Sequence, residues 1–358
     1  MKKISSIILL LAAALLIWGA GARQGSLLEK RAEYHLDSNK PLENAPPLMA
    51  FTTVALGGFG GLLADALWLR VSYLQDEGKF MEIVQLADWI TKLEPRCAEI
   101  WSFHAWNMAY NVSVAMPDAE DRWRWVSNGI KLLRDEGMLY NPADASLYQD
   151  LGWMFQNKIG RATDEANQYY KFKWAEEMTL LFGGEKPDYG KIESDAALKK
   201  AFMETYKLIP GVMKEMESAY GPLDWRLPQA HAIYWAYRGR QLCQKKYMIQ
   251  YDRMIYQAMA DAFPRGRLVS GGSAETLAEE PNFDLLEYTI RTFDQALRKY
   301  PIESVKSAYE SFLRHSVLLL HDYQREKEAR NLFDLLCRKF PSQTTLNGYD
   351  AFIAARGR

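Results

Sequence analysis

Cysteine is scarce in this chain. Cys97, Cys243 and Cys337 are the three in 358 residues, and none stands in a C-x-x-C pair, which argues against a metal ribbon or a redox motif. Being odd in number and far apart, they leave one disulfide in an oxidising compartment, or three small apolar core residues. Neither sign of charge is in excess: 44 Lys and Arg face 45 Asp and Glu, for a net charge of −1. A nucleic-acid partner is not expected, because its footprint needs a basic bias or stripe. Histidine is also sparse. The five, at 35, 104, 231, 315 and 321, form no H-x-x-x-H or H-E-x-x-H, so the zinc-helix pattern is missing. The chain has no G-x-S-x-G, P-loop or dinucleotide fingerprint. Gly57 to Gly61 is glycine-rich but lacks the Lys-Ser/Thr that follows in a phosphate loop. Asp118, Glu120 and Asp121 are carboxylates of a kind found on any surface. No catalytic residue, metal ligand or cofactor is expected.

What is abundant is apolar and aromatic. Hydrophobic residues make up 48% of the chain, with 11 Trp and 20 Tyr, a load that fills space between helices and serves at interfaces. Met1-Lys2-Lys3 precedes an uncharged run, Ile4 to Ala22, ending in Ala20-Gly21-Ala22. Those are the parts of a secretory signal; the run is also long enough to span a bilayer. Residues 1–22 are therefore expected to be a signal peptide or a hydrophobic anchor helix, with an N-inside orientation. The segment has a bacterial style, so the body should be exported, periplasmic or anchored in the inner membrane facing the periplasm. Residues 23–47, with Pro41, Pro46 and Pro47, form a linker. The uncharged stretch 48–64 is an apolar lead-in to the first unit; its rival reading, a second membrane span, is opposed by Gly57, Gly58, Gly60 and Gly61.

From there the pattern is helical and periodic. Between Ala64 and Pro95, two amphipathic halves flank Gly78. Leu63, Leu67, Val71 and Leu74 recur on the first half, and Ile83, Leu86, Ile90 and Leu93 on the second. Gly78 suits a left-handed helix end. With Ala64 as position 1, Gly78 falls at 15, Phe80 at 17 and Pro95 at 32, the turn, aromatic and stop positions of a helix–turn–helix unit of about 34 residues. A second unit starts near Ala98, with Trp101 at position 4 and Ala105 at 8, and is stretched at Pro117. The third starts at Ala145 and puts Tyr148 at 4, Leu151 at 7, Gly152 at 8 and Phe155 at 11, with its second helix over 163–182. Residues 183–227 break the register and read as a helical insertion, with helices over 196–206 and 212–220. The array resumes at Pro228, with Trp235 and Gly239 at positions 4 and 8. Helices follow over 249–263, 283–300, 302–321 and 326–340, with a polar loop at 265–281. Prolines 95, 142, 264, 301 and 341 each stop a helix. Residues 342–358 form a tail.

The aromatic, Leu-Gly and aromatic order of the third unit and the recurring proline stops resemble the tetratricopeptide pattern of bacterial helical-repeat proteins, over about residues 61–341. No unit carries every consensus position. The resemblance implies an all-α fold: repeats at 48–182 and 228–341 forming a right-handed α-solenoid with a concave groove. It also implies a role in holding partner proteins or peptides, and no chemistry, since function on a common scaffold lives in specific sites.

Four polar clusters interrupt apolar helices. His104, Asn107 and Asn111, spaced by 3 and 4, share one helix face and suit contact with a peptide backbone. Arg122 and Arg124, beside Trp123 and Trp125, suit an anionic or aromatic ligand. Asp224 and Arg226 form a positioned ion pair before the Pro228 helix, with His231 beyond. Asp65 lies in an apolar run, with Arg70 as its expected partner, because an unpaired buried charge is costly. The expected function is a non-enzymatic scaffold of the cell envelope that binds a partner protein or peptide in its groove, at His104, Asn107, Asn111, Arg122, Arg124, Trp125, Asp224, Arg226 and His231. The alternative is a carbohydrate-binding protein or an enzyme on an α/α scaffold, and a third reading is a membrane subunit with two spans.

Overall fold

The computed structural model describes residues 59–270, 272–274, 276–341 and 348–355, together with single positions between 18 and 30. Apart from those single positions, the expected signal or anchor, the linker and most of the apolar lead-in fall outside these residues. So does much of the C-terminal tail, of which Tyr349–Ala354 is helical. The described chain is mostly helical, with almost no strand.

Helices α1 (Phe59–Asp76) and α2 (Phe80–Leu93) form the first hairpin. Gly78, at φ +69°, ends α1 in the left-handed region where glycine has no steric penalty. The buried face of α1 is Ala64, Val71 and Leu74. Leu63, expected on that face, is exposed instead, because the contact with α2 runs one position along the helix. Asp65 is exposed, and Arg70 approaches Glu82 of α2 at 4.0 Å rather than Asp65. The expected Asp65–Arg70 pair is not formed, and an exposed carboxylate has no need of it.

Helix α3 (Ala98–Trp106) runs on through a π-helical turn, Asn107–Val112, and a short 3-10 turn, Ser113–Ala115. Its partner α4 (Ala119–Lys131) continues through a second π turn, Leu132–Gly137, to Tyr140. Asp118 caps α4, accepting a bond from the Asp121 amide at 2.8 Å. Helix α5 (Ala145–Trp153) is capped by Asp144 and extended by a π turn, Met154–Ile159. Its partner α6 (Asn167–Phe182) begins four residues later than the sequence suggests. The 183–227 segment folds as α7 (Tyr189–Ser194), α8 (Ala196–Lys200, with a π turn Ala201–Thr205) and α9 (Pro210–Tyr220). It is no loose appendage: Phe202, Met213 and Met216 join the same core as Trp174 and Trp235.

Helix α10 (Pro228–Leu242) packs along α5 on one side and α11 (Met248–Arg265) on the other. The small residues at position 8 mark where helices cross. A Cβ on Gly239 would meet Tyr251 at 2.5 Å and Tyr148 at 2.9 Å, and one on Gly152 would meet Met254 at 2.7 Å. Pro264 does not stop α11 but sits inside its last turn, where its missing amide costs little more than the bond to the Ala260 carbonyl. The expected polar loop at 265–281 contains a small antiparallel pair, β1 (Arg267–Ser270) with β2 (Ala278–Glu280). Helices α12 (Leu286–Lys299), α13 (Glu303–Asp322) and α14 (Glu326–Lys339) complete the order.

The core is continuous through α11, which gives Ala258 and Met259 to the central cluster and Tyr256 and Phe263 to the C-terminal one. Among the described residues no helix is long and apolar enough to cross a membrane. No disulfide joins the three cysteines, each of which is partly buried.

Candidate functional site

The first expected cluster faces inward. His104 is 4% exposed and neither ring nitrogen finds a partner. Burial, helped by Lys92 and opposed by Asp88, pulls its pKa down to about 4, so the ring is neutral at pH 7. Asn107 is fully buried and donates through Nδ2 to the Phe80 carbonyl at 3.2 Å. Asn111 in turn donates to Asn107 Oδ1 at 3.0 Å. These amides hold α2 against α3, and Asn107 is not open to a peptide.

The second cluster divides. Arg122 donates to the Met116 carbonyl at 2.9 Å and lies 3.6 Å from Asp164 and 3.8 Å from Glu165. There it joins a buried charge network the sequence did not signal. Lys158 and Asp164 pair at 2.5 Å with both side chains 3% exposed. The Lys158 ammonium lies 5.2 Å from the Tyr110 ring and 5.8 Å from the Tyr170 ring. Burial lowers the Lys158 pKa against the pull of Asp164. For Asp164 burial works upward, but Lys158 and the Ala166 amide outweigh it and the acid is held down. Arg124 is exposed and pairs with Asp121 at 2.8 Å, and Trp125 is half-buried.

In the third cluster Asp224 and Arg226 form the expected ion pair, bidentate at 2.9 and 2.8 Å. Its task is structural. Asp224 accepts from the Leu268 amide at 3.0 Å and Arg226 donates to the Leu268 carbonyl at 3.0 Å, clamping β1. Lys171 holds the other strand through Glu279 at 2.6 Å. His231 stands apart. It is 1% exposed, donates through Nε2 to the Trp225 carbonyl at 2.8 Å, and packs against Phe155 and Trp174. Burial first, then Arg134, brings its pKa down to about 4. The nine expected residues therefore lie in separate places, most of them spent on internal contacts.

Concavities among the described residues lie elsewhere. The larger, of about 640 Å³, runs between α11 and α13, and another, of about 510 Å³, lies between α12 and α14. Its floor is apolar, built on Ala260, Phe263, Phe293 and Phe312; Gln257, Asp261 and His315 stand at its polar rim. Arg161 reaches across from the end of α5 to Asp261 at 3.1 Å. The smaller, of about 210 Å³, lies between α3 and α5 and is lined by Ser102, Phe103, Trp106, Asp150, Trp153 and Met154. Trp106 and Trp153 are 46% and 41% exposed. The sequence carried a signal for this second site: Ala105-Trp106 and Gly152-Trp153 place a small residue and then Trp at the same register of consecutive units. Nothing comparable marks the larger groove, whose walls come from residues scattered over 161–322.

Among the described residues no group of His, Cys, Asp and Glu is placed to hold a metal ion. No protein-family model matches the chain, and no curated protein matches it at a significant level.

Proposed function

We propose that this chain is a non-enzymatic adaptor of the bacterial cell envelope, exported through its N-terminal segment. Its helical hairpins form a right-handed tetratricopeptide-like solenoid that holds a segment of a partner protein. The observation that carries this reading is the α11–α13 groove. A floor of buried aromatic rings beneath a polar rim, in a concavity of about 640 Å³, has the size and the mixed lining of a site that takes apolar side chains and orients them by a few polar groups. Helix-built grooves of this kind suit an amphipathic segment, which brings an apolar face to the floor and leaves its polar face at the rim.

Photo-cross-linking tests it. A benzophenone side chain placed at Gln257 or Ser311, both lining the groove, is expected to give a discrete adduct with another protein in intact cells. The same group at Lys131, exposed on α4, should give none. Absence of any protein adduct at the groove positions, together with retention of the purified protein on a glycan array, would instead establish the carbohydrate-binding alternative.

A further inference from the structure

We infer that the cleft between α3 and α5 receives a cationic side chain, Lys or Arg, of a polypeptide partner, with Asp150 as its counter-ion and Trp106 and Trp153 as its walls. This rests on the adaptor reading and adds a second, chemically distinct contact to it.

Among the described residues no cation pairs with the Asp150 carboxylate. It is partly buried beside the cleft, and burial raises its pKa. The charged neighbour that acts on it is Asp144, another acid, which pushes in the same direction. The Ser102 hydroxyl, which lines the cleft beside it, opposes this shift. Other part-buried acids are satisfied internally: Asp164 by Lys158, Asp224 by Arg226 and Glu279 by Lys171, and Glu177 and Glu217 by Tyr and Trp donors. Asp150 instead lines an open cleft, where a ligand has access.

The aromatic walls favour the same class of ligand. Trp106 is braced by Tyr110, stacked at 5.1 Å and 18°, so its ring is held in place before anything binds. Trp offers the most favourable ring face to a cation, and a carboxylate beside it accepts the charge-assisted hydrogen bond that an ammonium or guanidinium donates. A sugar would ask for several convergent donors and acceptors, and this cleft presents one carboxylate and one hydroxyl. An anion is excluded by Asp150 and Asp144. At about 210 Å³ the cleft is below the size of pockets that enclose whole drug-sized molecules, and it fits the end of one side chain.

The test uses the full chain labelled with ¹⁵N, following the Trp106 and Trp153 indole N–H signals, assigned by W106F and W153F. The probes are Ac-Gly-Arg-Gly-NH₂, Ac-Gly-Lys-Gly-NH₂, their neutral Gln counterpart, and tetramethylammonium. Saturable shifts with the Arg and Lys peptides are expected, with the Gln peptide inert and tetramethylammonium weaker. D150N keeps the shape of the side chain, and it should weaken the Arg peptide by about tenfold or more. Its thermal unfolding should match that of the parent protein. Equal binding by D150N, equal shifts with the Gln peptide, or no shift up to the solubility limit would each overturn the cation cleft. Tetramethylammonium binding as tightly as the peptides would overturn the polypeptide source. Failure of cross-linking at Gln257 alongside intact peptide binding would sink the adaptor reading and leave the cleft's selectivity for a cation standing.

Discussion

At the scale of single residues, this molecule commits its polar groups to the interior. His104 and His231 are the clearest case, with pKa values near 4 against an ordinary 6.5. The unfolded chain binds protons below pH 6.5 that the folded chain refuses. Stability from each neutral ring is therefore complete above pH 6.5 and lost as pH falls from 6.5 towards 4. At about 1.4 kcal/mol per unit, each ring accounts for roughly 3 kcal/mol over that window. Urea unfolding at pH 7.5 and pH 5 should show the loss, and His231→Gln should flatten the pH dependence; an unchanged slope in that variant would refute the assignment. The Lys158–Asp164 pair gives a second expectation. Removing one partner strands a buried charge, at a cost of roughly 3–5 kcal/mol, so Lys158→Met alone should destabilise strongly, and K158M with Asp164→Leu should recover much of the loss. Gly239→Ala should cost about 1–3 kcal/mol by overpacking, because its methyl group would meet the Tyr251 ring at 2.5 Å; calorimetry of the folded variant checks it.

Secondary-structure elements were the most legible level. The spacing of apolar residues, the Gly78 turn and the prolines two residues beyond α2, α12 and α14 are local effects, set by backbone sterics within a few residues. The misses have a common cause. Pro264 lies inside α11 because a helix tolerates proline where the lost bond is near its end, and tertiary packing decides how far the last turn continues. The strands at 267–280 are short and polar, and they exist because Asp224, Arg226 and Lys171, remote in sequence, hold them. That makes a further expectation: Asp224→Ala should speed amide hydrogen exchange of Leu268 by an order of magnitude or more, leaving α3 and α4 unaffected. An unchanged exchange rate at Leu268 in that variant would show that the clamp is dispensable.

For the whole molecule, α11 is the joint. It supplies side chains to both the central and the C-terminal core, and its Phe263 also floors the groove. Phe263→Ala should cost about 3–5 kcal/mol, loosen α13 and α14 in hydrogen exchange, and abolish cross-linking from Gln257, while α1 and α2 keep their protection. Loss of protection spread evenly over the chain would mean a single cooperative unit instead. The sequence by itself determined that this chain builds paired helices, where they turn, and which small residues let them cross, because those properties depend on neighbours within one or two helical turns. It also sets Trp106 and Trp153 one residue after Ala105 and Gly152, a spacing whose meaning only the cleft reveals. Only the tertiary structure decided which polar residues are buried and which are offered. Burial depends on residues tens of positions away, such as Phe80 for Asn107 and Leu268 for Arg226, so these two became internal fastenings, while Asp150 was left beside two exposed tryptophans with no cation among the described residues.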